Sequence, residues 1–162
     1  MNLKEIVKLQ EELDEKIAKE LDINLDDDEF VRKRLLAYYV ELGELANETA
    51  FFKYWKQSHQ PDTHREIEEL IDVLHFLVSI GITRKYTKMM QEIEPFPFYE
   101  EATFEDMFEM LFANRLDTSS QWHHAMSLVL GLGHKLGYND DLLLKAYETK
   151  NQINHERQEK GY

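Results

Sequence analysis

Cysteine is absent from this chain, and proline and glycine are scarce, with 3 and 6 copies in 162 residues. Without cysteine there is no disulfide framework, no thiol nucleophile and no thiolate ligand for a metal. The clusters of β-branched residues that are typical of strands are also missing. The sequence therefore predicts one all-α domain over residues 1–162, a bundle of about five to six helices that is large enough to bury a core.

Basic residues are also few, since 19 Lys and Arg stand against 32 Asp and Glu and the formal net charge is −13. Neutralising the phosphates of DNA or RNA requires surplus positive charge, so we expect no nucleic-acid partner. An anionic substrate would instead need a metal ion or a local basic patch. No apolar run approaches the ~18 residues of a membrane span, and the amphipathic first residues lack the pattern of a signal peptide. We therefore expect a cytoplasmic protein that has no membrane partner.

Apolar periodicity and capping residues predict where the helices lie. The first runs from Leu3 to Leu21, the second from about Glu29 to Trp55, and the third from the capping-box spacing at Thr63 to about Glu94; shorter helices follow near Thr103–Asn114 and Ser119–Leu136, and a last helix begins near Asp140. Residues 57–62 contain Pro61 and are predicted to form a loop. Gly43 lies inside the second helix, where glycine costs about 1 kcal/mol against alanine, and this predicts a close approach by a ligand or another backbone.

Two acidic pairs at i, i+3 stand on successive predicted helices: Glu41 with Glu44, and Glu69 with Asp72. Residues three apart lie on the same side of a helix, so each pair presents both carboxylates in one direction. Asp72 interrupts a run that is apolar on nearly every side, and a buried carboxylate without a partner would cost several kcal/mol. Four oxygen ligands in a chain without cysteine indicate Mg²⁺, which usually keeps room for substrate phosphates.

The spacing alone is weak support, because acidic residues occupy about one position in five and such pairs arise by chance. A dinuclear iron bundle would require Glu-x-x-His on two helices, and the nearest approach here is Asp72-x-x-His75. A non-catalytic helical interaction protein, with the carboxylates as a solvated face, is a further alternative. Placement favours a metal site, because one pair borders a core stripe and the other interrupts a buried helix.

Two polar groups on the outer helices could serve such a site. Gln10 and Asp14 lie at i, i+4 beside the apolar stripe of the first helix, close enough to reach a pocket. The last helix carries a strip of cationic and amide side chains with Tyr147 one turn earlier, namely Lys150, Asn154 and Arg157. The plain alternative for both groups is a set of solvated polar residues. A phosphate-binding role is favoured only because the carboxylates predict a Mg²⁺ site, and such a site predicts an anionic substrate.

Taken together, Glu41-x-x-Glu44 and Glu69-x-x-Asp72 followed by His75-Phe76 resemble the all-α nucleoside triphosphate pyrophosphatases. More narrowly they resemble the dimeric dUTPases of bacteria, their phages and trypanosomatids. The opening Leu9-Gln10-x-x-Leu13-Asp14 and the ending Tyr147-x-x-Lys150-Asn151-x-x-Asn154-x-x-Arg157 are also similar to motifs of that family. The resemblance touches both ends and the centre of the chain.

The resemblance implies a homodimeric, Mg²⁺-dependent enzyme that hydrolyses dUTP to dUMP and pyrophosphate. The Mg²⁺ ligands would be Glu41, Glu44, Glu69 and Asp72, and Glu41 would also orient or deprotonate the attacking water. The uracil and deoxyribose pocket would consist of Gln10, Asp14, Trp55, His75 and Phe76, with Tyr147 lining the sugar side. The phosphate contacts would come from Lys150 and Arg157, with Asn151 and Asn154 nearby. Hydrolysis of dUDP, and a sister specificity for dCTP or damaged nucleotides on the same fold, are left open.

Overall fold

The computed structural model describes residues 1, 3–56, 58, 62–89 and 92–161. Helices account for the regular structure of these ranges, which confirms the all-α prediction. The six α-helices are α1 (Leu3–Leu21), α2 (Asp28–Thr49), α3 (Thr63–Thr83), α4 (Phe104–Ala113), α5 (Ser119–Lys135) and α6 (Asp140–Glu159), with a 3₁₀ turn at Tyr86–Met89. Of the loop expected over residues 57–62, residues 57 and 59–61 lie outside the described ranges.

Two predicted helices extend too far, and local backbone explains both errors. The second ends at Thr49 and not at Trp55, because Ala50 adopts a left-handed conformation with φ of +52° and its N–H bonds to the carbonyl of Ala46. The third ends at Thr83 and not near Glu94, and Lys85 then takes a φ of +62° before the 3₁₀ turn. Neither helix end involves proline or glycine, so no strong stop signal marks these positions in the sequence.

The helix starts follow local chemistry closely. Asp62, not Thr63, caps α3, since its carboxylate accepts hydrogen bonds from the backbone N–H groups of His64 and Arg65. Thr103 caps α4 in a reciprocal capping box with Asp106. Gly137 follows α5 with a φ of +94°, as expected for a glycine just beyond a helix end.

α3 is the central helix and packs against α1, α2, α5 and α6. It is buried along most of its length, as its apolar composition predicts. The polar side chains in the buried part of α3 are therefore held by a helix that cannot rotate without exposing its core residues. In the described part of the chain, no helix combines the length and the apolar character that crossing a bilayer requires.

A close helix contact occurs at Gly81 of α3, and not at Gly43 of α2. A Cβ atom at Gly81 would clash with the indole ring of Trp122 on α5, whose Nε1 donates a hydrogen bond to the carbonyl of Leu77 over 2.7 Å. A Cβ atom at Gly43 would meet no described atom within 4 Å. The predicted approach of another backbone to Gly43 is therefore wrong, and the packing constraint lies at Gly81, while an approach by a ligand at Gly43 stays a prediction.

These two glycines form a matched pair for a stability test. Gly81→Ala should destabilise the protein by about 1–3 kcal/mol, because the indole or the helix must shift to admit the methyl group. Gly43→Ala should be neutral or stabilising by up to about 1 kcal/mol, since alanine is the better helix former and the space is open. Urea unfolding of both variants and the wild type measures this, and equal effects would contradict the assignment.

Candidate active site

A cavity of about 440 Å³ opens between α1, α2, α3 and α6, and polar side chains converge on it. The polar residues that line it are Gln10, Asp14, Arg34, Glu41, Asp72, His75, Ser79, Asn154, Arg157 and Gln158. The apolar part of the wall includes Phe76 of α3 and Leu13 of α1. Residues from both ends and the centre of the chain are therefore brought together at one place.

A cluster of three carboxylates lies at one part of this region. Glu41, Glu69 and Asp72 each offer an oxygen atom within 4.8 Å of the others. Burial raises the pKa of Glu41 from 4.5 to about 7, with further contributions from Asp72, Glu44 and Glu69. Burial, and then the charge of Asp72, also raises the pKa of Glu69. Without an ion, these carboxyl groups are partly buried and repel one another when ionised. A divalent cation bound by their oxygen atoms would offset this electrostatic cost.

Lys150 of α6 is a cation that binds this cluster directly. Its Nζ donates to Oδ2 of Asp72 over 2.6 Å and to Oε1 of Glu68 over 2.8 Å, and the residue is only 8% exposed. Burial would lower the pKa of Lys150, but its hydrogen bonds to the two carboxylates raise it overall. Burial raises the pKa of Asp72 although Lys150 acts in the opposite direction. Lys150 therefore compensates part of the acidic charge at the place where a metal is expected.

A buried polar network lies beside the carboxylates. Oε1 of Gln10 accepts from the hydroxyl of Tyr147 over 2.7 Å and lies 2.7 Å from Nδ1 of His75. The rings of His75 and Tyr147 stack with centroids 4.0 Å apart. The Nε2 of Gln10 donates to Oδ1 of Asp14 over 2.8 Å. Four residues expected from the sequence to line a base and sugar pocket are thus connected to one another.

Three other predicted site residues do not line the cavity. Glu44 is exposed and lies outside the three-carboxylate cluster, although its charge raises the pKa values of Glu41 and Glu69. The amide of Asn151 is buried and donates to the carbonyl of Leu9 over 3.1 Å, so this side chain ties α6 to α1. Trp55 is 60% exposed, and the structure does not bring it to the cavity.

The sequence prediction gave no role to four residues of the site, one of which is Gln158 in the last turn of α6. Arg34, Ser79 and Glu68 were not singled out, although the first two line the cavity and the third binds Lys150. A signal did exist for the first two, because Arg34 lies two turns before Glu41 on α2 and Ser79 two turns after Asp72 on α3. Glu68 had no such signal, since only the docking of α6 brings it to Lys150.

A family model described as dUTPase matches residues 2–162, almost the whole chain. The chain belongs to the dUTPase family. Membership implies dUTP diphosphatase activity and a nucleotide substrate, and it confirms the resemblance in the sequence motifs. The non-catalytic interaction protein is thereby set aside. A comparison with curated proteins gives no match.

Replacing the competing cation of this dUTPase should strengthen metal binding. Lys150→Met keeps the apolar stem of the side chain but removes the charge beside Asp72 and Glu68. Because a unit charge near a protein surface is worth ~1 kcal/mol or more, the affinity for Mg²⁺ in the absence of nucleotide should rise by roughly tenfold. Isothermal titration calorimetry measures this. Lys145→Met, an exposed change of the same charge on α6, is the control and should leave the affinity unchanged. Weaker binding in Lys150→Met would contradict the role given to Lys150.

The raised pKa of Glu41 predicts how stability changes with pH when no metal is present. The folded protein binds the proton of the Glu41 carboxyl group more tightly than the unfolded chain does. This difference stabilises the fold at low pH, and the stabilisation is lost as the pH rises from 4.5 to about 7. In EDTA, Glu41→Gln should abolish this loss of stability. At pH values above the pKa of Glu41, the variant should therefore melt a few degrees higher than the wild type. Glu20→Gln at an exposed position of α1 should behave as wild type. The same slope in wild type and Glu41→Gln would rule out this assignment.

Proposed function

We propose that this dUTPase hydrolyses dUTP to dUMP and pyrophosphate with Mg²⁺ as its cofactor, by attack of water on the α-phosphorus. The observation that carries the proposal is the group of three carboxylates, whose oxygens lie within 4.8 Å of one another at the edge of the cavity. The family supplies the substrate class, and the carboxylates supply a reason for a metal.

The donor set fits a hard divalent cation. All three groups offer oxygen atoms, and the raised pKa values of Glu41 and Glu69 reflect burial and mutual repulsion that a cation would offset. Glu41, Glu69 and Asp72 would hold Mg²⁺, and Glu44 would join them by a change of side-chain rotamer. When bound, the ion would neutralise the triphosphate and make a neighbouring water more acidic.

Glu41 is the residue we assign to the attacking water. Glu41 both lines the cavity and belongs to the three-carboxylate cluster, so it is placed to accept a proton from a water at the metal site. As the bond between the water oxygen and the α-phosphorus forms, the proton passes to the Glu41 carboxylate, and the bond to the bridging oxygen breaks so that pyrophosphate leaves. An in-line displacement of this kind depends mainly on positioning and charge stabilisation.

The cationic and amide side chains of α6 are assigned to the phosphates. Lys150 would exchange Glu68 and Asp72 for phosphate oxygens as the cation takes over Asp72. Arg157 and Asn154 already line the cavity, and positive groups placed there stabilise the charge that grows on the leaving pyrophosphate. Asn151 would act indirectly, since its hydrogen bond to Leu9 holds α6 against α1.

The base and sugar are assigned to the network end of the cavity. Gln10, Asp14, His75 and Phe76 line it, and Tyr147 supports His75 from behind through the ring stack. Trp55 would reach this pocket only if the segment after α2 moved. A site of buried polar groups rejects a mismatched base more strongly than an apolar one does.

A homodimer is part of the proposal. Leu36 and Val40 lie one turn apart on α2 and are 65% and 48% exposed, which offers apolar surface to a second copy. A cytoplasmic location stays a prediction from the sequence.

The proposal is tested with a panel of dUTP, dUDP, dCTP and dTTP in the presence of Mg²⁺. Release of pyrophosphate should be fastest from dUTP, and faster release from dCTP would move the enzyme to a sister specificity. Glu41→Gln should lower kcat for dUTP by roughly a hundredfold or more, the usual contribution of a general base. Glu29→Gln, an exposed change on the same helix, should retain full activity. Normal turnover by Glu41→Gln would remove Glu41 from the chemistry.

A further inference from the structure

Asp14 is held by two donors on other helices, so its orientation is fixed. Its Oδ2 accepts a hydrogen bond from the hydroxyl of Ser79 over 2.6 Å and lies 3.5 Å from Nη2 of Arg34. Arg34 is itself anchored, since its Nη1 donates to the hydroxyl of Thr83 and to the carbonyl of Leu25. These contacts leave Oδ1 of Asp14 facing Gln10.

The charge of Asp14 decides which way the amide of Gln10 points. A carboxylate accepts hydrogen bonds and does not donate them, so the Gln10 nitrogen must face Asp14, as its 2.8 Å hydrogen bond requires. The amide oxygen of Gln10 then faces Nδ1 of His75 and the hydroxyl of Tyr147, both at 2.7 Å. An amide oxygen only accepts, so both of these neighbours must donate.

The proton of the His75 ring therefore lies on Nδ1. Burial lowers the pKa of His75 to about 3, with a further contribution from Lys150, so the ring carries a single proton at neutral pH. Its Nε2 then has a lone pair and no proton. This atom is buried and has no hydrogen-bond partner among the described residues, while His75 lines the cavity. A buried acceptor without a partner costs free energy that a ligand donor can recover.

We propose that Asp14 is a positioning residue that, through Gln10, fixes the tautomer of His75 and leaves Nε2 to accept a hydrogen bond from the nucleoside. The inference deepens the proposed function and depends on the nucleoside binding in this cavity. The donor is an N–H or O–H group, and uracil N3–H and the 3′-hydroxyl of deoxyribose both qualify. Cytosine N3 carries no proton, so a contact to the base would select uracil over cytosine.

The tautomer can be read without substrate, by ¹⁵N NMR of the histidine rings. In the wild type, Nε2 of His75 should show the shift of an unprotonated ring nitrogen and Nδ1 that of a protonated one. His75→Gln identifies the signals, because it removes them from the spectrum. A wild-type spectrum with the proton on Nε2 overturns the proposal by itself, whatever the variants do.

Asp14→Asn is the decisive variant, because it keeps the shape and reverses the hydrogen bonding. Ser79 and Arg34 will hold the oxygen of the new amide, so its NH₂ group must face Gln10 and turn the Gln10 amide over. Nδ1 of His75 then faces a donor, and the ring proton should move to Nε2. The control is Glu15→Gln, an exposed loss of the same charge one residue away, which should keep the wild-type tautomer. An unchanged tautomer in Asp14→Asn overturns the role of Asp14.

Gln10→Met provides a second route if Asp14→Asn does not fold. It removes the acceptor for Nδ1 without adding charge, so the His75 proton should shift towards Nε2. Retention of the Nδ1 proton in this variant would show that Gln10 does not set the tautomer.

Kinetics with three nucleotides identify the donor. Asp14→Asn should raise KM for dUTP by roughly tenfold, about the value of one hydrogen bond, and change kcat less. If N3–H is the donor, Asp14→Asn will raise KM for 2′,3′-dideoxyuridine triphosphate by the same factor, and the preference for dUTP over dCTP will shrink. If the 3′-hydroxyl is the donor, KM for the dideoxy substrate will not rise. No rise for either uracil nucleotide overturns the acceptor role of Nε2. Absence of dUTP hydrolysis in the wild type would instead refute the proposed function.

Discussion

Repulsion between carboxylates that are held together and partly buried is the constraint on which the rest of the site depends. Glu41 comes from α2, while Glu69 and Asp72 come from α3, and burial raises the pKa of each. Packing of α2 on α3 enforces this proximity, and the free energy of that packing must exceed the electrostatic cost. Without metal, the charge is offset from α6, whose Lys150 reaches Asp72 and Glu68. The last helix thus docks through charge as well as through apolar contact.

Burial of the apolar side chains of α3 offsets the electrostatic cost of the carboxylate cluster. Leu70, Leu74 and Leu77 are fully buried, and each contributes about 1.5–3 kcal/mol relative to an exposed side chain. Asp72 and Ser79 lie two turns apart on the same helix, and both are paired with side chains of other helices. Asp72 and Ser79 are therefore tolerated in a buried helix because α6 and α1, which pack against it, provide their hydrogen-bond partners.

Features set by local chemistry were predictable from the sequence, and features set by tertiary contact were not. The starts of α4 and α6 follow from Thr103 and Asn139, whose side chains cap the helices next to them in sequence. The end of α2 depends on a left-handed alanine, a conformation that no propensity indicates. The acidic pairs were found by spacing, yet the structure separates exposed Glu44 from the other three, and that difference depends on how α2 faces α3.

Two pairs of residues on α3 and α6 connect the two ends of the cavity. Asp72 binds Lys150, and one turn along each helix His75 stacks on Tyr147. The carboxylate cluster and the polar network around His75 therefore share the same helix interface, one turn apart. If Lys150 leaves Asp72 for a phosphate, as proposed, the ring stack and the hydrogen bond from Asn151 to Leu9 can still hold α6 in place. The proposed exchange of partners would then require only a movement of the Lys150 side chain, because Tyr147 and Asn151 hold the helix on either side of it.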